Sequence, residues 1–299
     1  MTTAEDRYRL LDKQPFVSTA SVTSLAGTIH SLREILRHRE MLGLLVRRDL
    51  KSRYKDSALG FVWTLIRPLT QLVIYYVVVG KFLQAERGIP EFAVYIFAGL
   101  TAYSLFSEVI GSATSSIVGN SGLIKKVYLP REVFPIASVG SALFNFIMQL
   151  AILLLATVVT WHVPFDVDLL YAIPGILVLL VYGLAFGLLL SAVNVYLRDI
   201  GYLVEVLLLL LLWASPIVYA WRFVRDVLGN GVLLEIYTDN PVTLSVLAFQ
   251  KAFWTSSDST PYPGLLLMRL VIAFVVGLVL LVVFQRVFSR LQGNFAQEL

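Results

Sequence analysis

The sequence predicts an all-α integral membrane protein. Six transmembrane helices follow an N-terminal amphipathic interface helix, and short re-entrant helices sit in the last external loop. Three observations carry this fold class. Hydrophobic residues make up 58% of the chain and charged residues only 15%, whereas a soluble domain is about a quarter charged. Mean hydropathy is +0.77, and the apolar residues are gathered into long runs. The runs lack the strict alternation of a barrel strand, so each must satisfy its backbone internally as a helix.

The chain divides into four segments. Residues 1–28 are polar and mixed in charge, with no apolar central run; they read as a disordered or loosely attached lead rather than a cleaved signal peptide. Residues 29–56 form the interface helix, 57–288 the six-span domain and 289–299 a tail.

In the interface helix, Leu32, Ile35, Leu36, Leu42, Leu45 and Val46 fall near one stripe among many cations, the pattern of a helix lying on anionic lipid. The spans are placed at Gly60 to Phe82, Phe92 to Val118, Ile136 to Val159, Pro174 to Tyr196, Leu203 to Tyr219 and Leu265 to Val287. Each has the apolarity needed to cross a hydrocarbon core of roughly 30 Å, although the fifth is short.

Lys and Arg set the orientation. Arg47, Arg48, Lys51, Arg53 and Lys55 precede the first span; Lys125, Lys126 and Arg131 lie in the second connection, Arg198 in the fourth, and Arg286 and Arg290 at the end. These alternate connections, and both termini, are assigned to the cytoplasm. The third connection has no basic residue between Trp161 and Ile173, and faces outward with Asp166 and Asp168. The net charge of +4 therefore acts as an orientation signal beside lipid rather than as a nucleic-acid surface.

The fifth connection holds an apolar run, Val242 to Trp254, that is too short to span. Asn240 and Pro241 give it a helix start, and Gly229, Asn230 and Gly231 a turn upstream. A helix dipping into the outer leaflet and one lying flat on the surface both fit this pattern.

At RRDLKSRYKDSALGFVWTLIRPL, Arg47 to Leu69, the chain resembles the permease subunits of polysaccharide ABC exporters, which move lipid-linked O-antigen, teichoic acid and galactan chains. The resemblance continues through NSGLIKKVYLPREVFP from Asn120, NVYLRDIGYL from Asn194 and GNFAQEL from Gly293, and covers about Leu32 to the C-terminus. It implies a half-transporter of the plasma membrane that forms a homodimer and binds two copies of a separate ATPase. No stretch fits G-x-x-x-x-G-K-[ST], so no cofactor is expected in this chain: ATP and Mg would sit on the partner, and the chain would not itself be an enzyme. The resemblance further implies that Arg48, Asp49, Lys51 and Arg53, with Lys125, Lys126, Tyr128 and Arg131, form the ATPase-coupling surface. The same cations also satisfy the positive-inside rule alone.

Intramembrane ionisable residues are candidates by default. Glu205 and Arg269 lie near span ends and can snorkel. Glu108 and Arg67 lie deeper, where a channel wall, a dimer interface or a mutual pair would relieve their cost. With Trp63, Tyr76, Tyr103 and Phe106 they make up the candidate substrate path, since sugar C–H faces stack on aromatic rings, although aromatics near span ends also serve as interface anchors.

Rival readings are also framed by the sequence. Asp166 and Asp168 form a D-x-D pattern of the kind glycosyltransferases use to hold a metal and a sugar phosphate. A proton-driven flippase would rely on Glu108, and a drug or small-lipid exporter would belong to the same family. The three histidines are scattered, with no metal-ligand spacing among them. The expectation is a lipid-linked glycan exporter contacting membrane lipids, with galactan as the first candidate cargo.

Overall fold

The computed structural model describes residues 39–54, 62–84, 89–126, 129–159, 166–254 and 262–299. Within them the chain is helical, with α1 at Arg39–Tyr54, α2 at Trp63–Ile74 continuing as a π-helix through Tyr75–Phe82, and α3 at Phe92–Gly119. A short α4, Ser121–Ile124, precedes α5 at Val133–Val159; a 3-10 turn, Val167–Tyr171, leads into α6 at Ala172–Tyr196. Then come α7 (Ile200–Trp213), α8 (Trp221–Leu228), α9 (Val232–Thr238), α10 (Pro241–Phe253), α11 (Leu266–Leu291) and a final turn, α12 (Phe295–Glu298).

Among the described residues five helices are long and apolar enough to cross a membrane: α2 with its π-helical continuation, α3, α5, α6 with its preceding turn, and α11. The fifth of the six expected spans departs from expectation. In place of Leu203 to Tyr219 stands α7, which at 1.5 Å per residue is about 21 Å long. Pro216 accounts for the stop, because the residue before a proline is pushed out of the α region. Residues 215–218 are buried, and buried backbone that leaves the helix needs other partners. Tyr95 Oη shares its one proton between the carbonyls of Pro216 at 3.0 Å and Tyr219 at 2.9 Å, and Gln250 Nε2 donates to the Pro216 carbonyl at 2.7 Å.

The centre of the bundle is α3, with 78% of its most apolar window buried. It packs on α5, α6 and α10. Close approach to α6 rests on two glycines one turn apart. A Cβ on Gly183 would lie 2.8 Å from Val109 Cγ1, and one on Gly187 would lie 2.7 Å from Ala113 Cβ. Small residues at this spacing let membrane helices approach backbone to backbone.

Helix α10 starts where the sequence predicts. Asn240 caps it by accepting from Val242 N at 2.9 Å, and Pro241 opens the first turn. Of the two readings of this run, the surface helix does not hold. Val242 through Gln250 are all buried, against α3 and α6, so α10 is inserted in the bundle. The hairpin α8–α9 leaves Val227, Val232, Leu233 and Ile236 exposed. It is pinned where Arg269 Nη1 meets Glu235 at 2.5 Å and Asp239 at 2.6 Å.

Within α1, Leu45 is buried and Leu42 and Val46 are half-buried against Val133, Phe134 and Ala137 of α5. The expected stripe is therefore an α5-packing face for these three residues, while Leu32, Ile35 and Leu36 lie outside the described residues.

Candidate functional site

Three helices that are apolar elsewhere each carry a polar stripe at helical spacing, and the fold turns all three toward one cavity of about 630 Å³. Thr64, Arg67 and Gln71 come from α2; Ser104, Ser107, Glu108 and Ser112 from α3; Asn145 and Gln149 from α5. Residues three and four apart share a helix face. Trp63 stands at the rim, half exposed, and Arg53 reaches in from the end of α1.

The electrostatic centre is Glu108. Its Oε1 accepts from Arg53 Nη1 at 2.6 Å and from Asn145 Nδ2 at 2.5 Å. Arg53 Nη2 also lies 3.4 Å from Ser112 Oγ. The carboxylate is only 22% exposed, and a carboxylate held away from water needs a cation and donors; both are supplied. A mutual Glu108–Arg67 pair, one of the sequence expectations, is not what forms: Arg53 takes that place. Among the described residues no hydrogen bond or ion pair engages Arg67.

The cavity brings together Trp63, Arg67 and Glu108 of the candidate path and leaves out the other three. Tyr103 Oη donates to the Leu208 carbonyl at 2.5 Å and so fastens α7 to α3. Phe106 faces a separate apolar cleft of about 340 Å³ with Tyr182, Leu208 and Pro241. Tyr76 sits on the π-helix, with Lys81 Nζ 5.3 Å from its ring centre.

The coupling candidates gather at one end. Arg48 Nη2 bonds its neighbour Asp49 at 2.7 Å and also donates to Asn120 Oδ1 at 2.6 Å, one residue before α4. Lys51, Lys125 and Lys126 are exposed nearby in the chain. Arg131 lies 5.6 Å from the ring centre of Phe295, which is buried against Phe288 and Tyr196. Arg53 is the exception in this set, since its guanidinium points into the cavity. Tyr128 lies outside the described residues.

Each D-x-D carboxylate has a local partner. Asp166 Oδ1 accepts from Val167 N at 2.6 Å and caps the 3-10 turn, and Asp168 pairs with Lys251 of α10 at 3.4 Å. Lys251 also stacks 4.0 Å from the Tyr171 ring centre. Partial burial opposes its charge, but the Tyr171 hydroxyl and the Asp168 carboxylate outweigh that and hold its pKa above the ordinary lysine value. Among the described residues no three His, Asp or Glu side chains converge as metal ligands would.

Sequence reasoning missed Thr64, Gln71, Ser104, Ser107, Ser112, Asn145 and Gln149. Their signal was present: polar residues recurring at three- and four-residue intervals within otherwise apolar runs.

A family model described as ABC-2 type transporter matches residues 40–254. The chain belongs to that family. It is 30% identical over 278 residues to the O-antigen export system permease protein RfbA of Myxococcus xanthus, covering 91% of this chain and 100% of that protein. A protein of the same description from Klebsiella pneumoniae is 25% identical, over 87% of this chain and 95% of its own length. The polysialic acid transport protein KpsM of Escherichia coli is 24% identical over a shorter stretch, 38% of this chain and 43% of that protein. The matched region includes α1 and every cavity-lining helix. The motif from Asn194 has a structural role: Asn194 Nδ2 donates to the Thr114 carbonyl at 3.1 Å and its Oδ1 accepts from Gly201 N at 3.2 Å, tying α6, α3 and α7 at one corner.

Proposed function

We propose that this chain is the permease of an ATP-driven exporter that moves a polysaccharide linked to polyprenyl diphosphate across the plasma membrane, with both termini in the cytoplasm. It works as a homodimer with two copies of a separate ATPase, which carry the ATP and Mg. The full-length similarity to proteins named as O-antigen export permeases carries the reading. The cavity supports it, because hydroxyl, amide and guanidinium groups on three membrane helices are what a hydroxyl-rich cargo needs where water is scarce. The weak packing of α2, with 6% of its span buried in its own bundle, leaves an apolar face for a second copy. Galactan is the first candidate cargo.

In this mechanism α1 and α4 receive the motor. ATP binding draws the two ATPases together, the docking elements shift, and rigid helices carry the movement to the cavity wall. Arg48 joins α1 to the α3–α4 corner and Arg53 joins it to Glu108, so a shift of α1 is passed to the end of α3 by one direct bond and to the cavity wall by the other. No covalent chemistry is assigned to this chain. Gentle solubilisation should recover it with an equal amount of a protein bearing G-x-x-x-x-G-K-[ST]. A transport-active preparation lacking any such protein would overturn the reading.

A further inference from the structure

The charged residues lining the polar cavity are Arg53, Arg67 and Glu108, which sum to one net positive charge. Arg67 is on the second turn of α2, at the same end of the bundle as α1, and among the described residues nothing neutralises it. A guanidinium stays protonated in any protein environment and presents a planar fork matched to phosphate oxygens. Arg67 is exposed on the single chain, among apolar residues of a helix long enough to cross a membrane, and there an uncompensated guanidinium is costly unless an anion arrives.

We propose that the cytoplasmic end of this cavity binds the diphosphate of the lipid-linked cargo, with Arg67 as the fixed ligand and Arg53 as a second ligand that the anion takes from Glu108. This rests on the exporter reading and names a subsite within it. The cavity, at about 630 Å³, lies within the usual ligand-site range of roughly 300–1,000 Å³. Gln71 shares the Arg67 face one turn further on, and Trp63 one turn earlier, so an amide donor and a ring flank the cation. Glu108 in this account is an internal competitor: it holds Arg53 at 2.6 Å and also accepts from Asn145 at 2.5 Å, the bond left to it when an anion draws Arg53 away. Cargo binding thereby unfastens the end of α1 from α3 while the Arg48–Asn120 bond holds, which places a cargo-sensitive contact on the helix assigned to motor docking.

The test titrates farnesyl diphosphate into the full chain in phosphatidylcholine nanodiscs and reads bound ligand by native mass spectrometry. Farnesol, inorganic pyrophosphate and phosphatidylglycerol are the comparators. R67Q should weaken farnesyl diphosphate by roughly tenfold or more, the scale of a hydrogen bond between charged partners, and R67K should recover part of the loss. E108Q should tighten binding several-fold, the opposite of what a purely structural role would give. Equal affinity in R67Q and the unmodified chain overturns the site, as does a loss in E108Q that parallels R67Q, equal binding of farnesol, or displacement by phosphatidylglycerol at matching concentration. Unfolding temperatures of all variants separate misfolding from lost contacts, and E108Q keeps the test decisive if R67Q is unstable. Export is measured on the same variants with the partner ATPase. Undiminished export in R67Q overturns the site and leaves the exporter reading, whereas diphosphate binding by a chain that assembles with no ATPase overturns the exporter reading and leaves the site.

Discussion

The break after α7 makes a sharp energetic prediction. The Pro216 carbonyl lies outside helical bonding and is served by two side chains, Tyr95 Oη at 3.0 Å and Gln250 Nε2 at 2.7 Å. Tyr95 is 2% exposed and Gln250 1%, so neither bond is replaceable by water. Tyr95→Phe removes one O–H, shared between Pro216 and the Tyr219 carbonyl at 2.9 Å; Gln250→Leu removes the other donor to Pro216. Each single change leaves Pro216 one partner, whereas the double variant leaves none. Hydrogen bonds between membrane helices average about 0.6 kcal/mol and reach about 1.7 kcal/mol, because the unfolded chain in lipid also finds partners. A non-helical carbonyl has fewer such substitutes, so each single loss should fall near 1 kcal/mol. The double variant should exceed the sum of the singles by about 1 kcal/mol, within the range found for groups sharing a partner. Reversible unfolding in mixed micelles, with both singles and the double measured together, gives the cycle. Strictly additive losses would refute the claim that these two donors share the burden of the break.

Two further predictions follow from the packing and the charge pattern. Gly187→Leu should place its side chain inside the Ala113 methyl, where even a Cβ would come to 2.7 Å, and cost about 1–3 kcal/mol or more through overpacking; Gly119→Ala, where nothing lies within 4 Å, should be nearly silent in the same unfolding assay. Because the chain has no cysteine, single cysteines at Ser121 and Gln292 should label only from the cytoplasm and one at Asp168 only from outside, as the Lys and Arg distribution requires; labelling of Ser121 from outside would invert the orientation.

Hydropathy reads composition, and composition is enough to place the five long apolar helices to within a few residues. It could not find the end of α7, because the partners that permit the break lie far away in sequence: Tyr95 is 121 residues from Pro216 and Gln250 is 34. The start of α10 was legible because its cap is local, in Asn240 and Pro241. Its insertion into the bundle was not, since the same apolar run suits a membrane surface and a protein core. For the cavity, the sequence presents the deep charges one at a time, whereas in the fold Glu108 is met by Arg53, a residue 55 positions earlier that the sequence places with the coupling cations. Helical spacing puts Ser104, Ser107, Glu108 and Ser112 on one face; only tertiary packing decides that α2 and α5 turn their own polar residues to the same space.

The central claim, that an ATPase drives this permease through α1 and the α4 connection, is tested most directly by reconstituted export. Lys125→Glu with Lys126→Glu reverses two exposed cations beyond α4, and Arg198→Glu with Arg290→Glu reverses two exposed cations at the same end outside the docking elements. Rim charges tune association and its salt dependence more than fold, so both pairs should insert and dimerise. The account predicts that the first pair weakens ATPase binding and slows ATP-dependent glycan export at least tenfold, while the second leaves both near the unmodified level. Equal loss in the two pairs, or export indifferent to both, would contradict it.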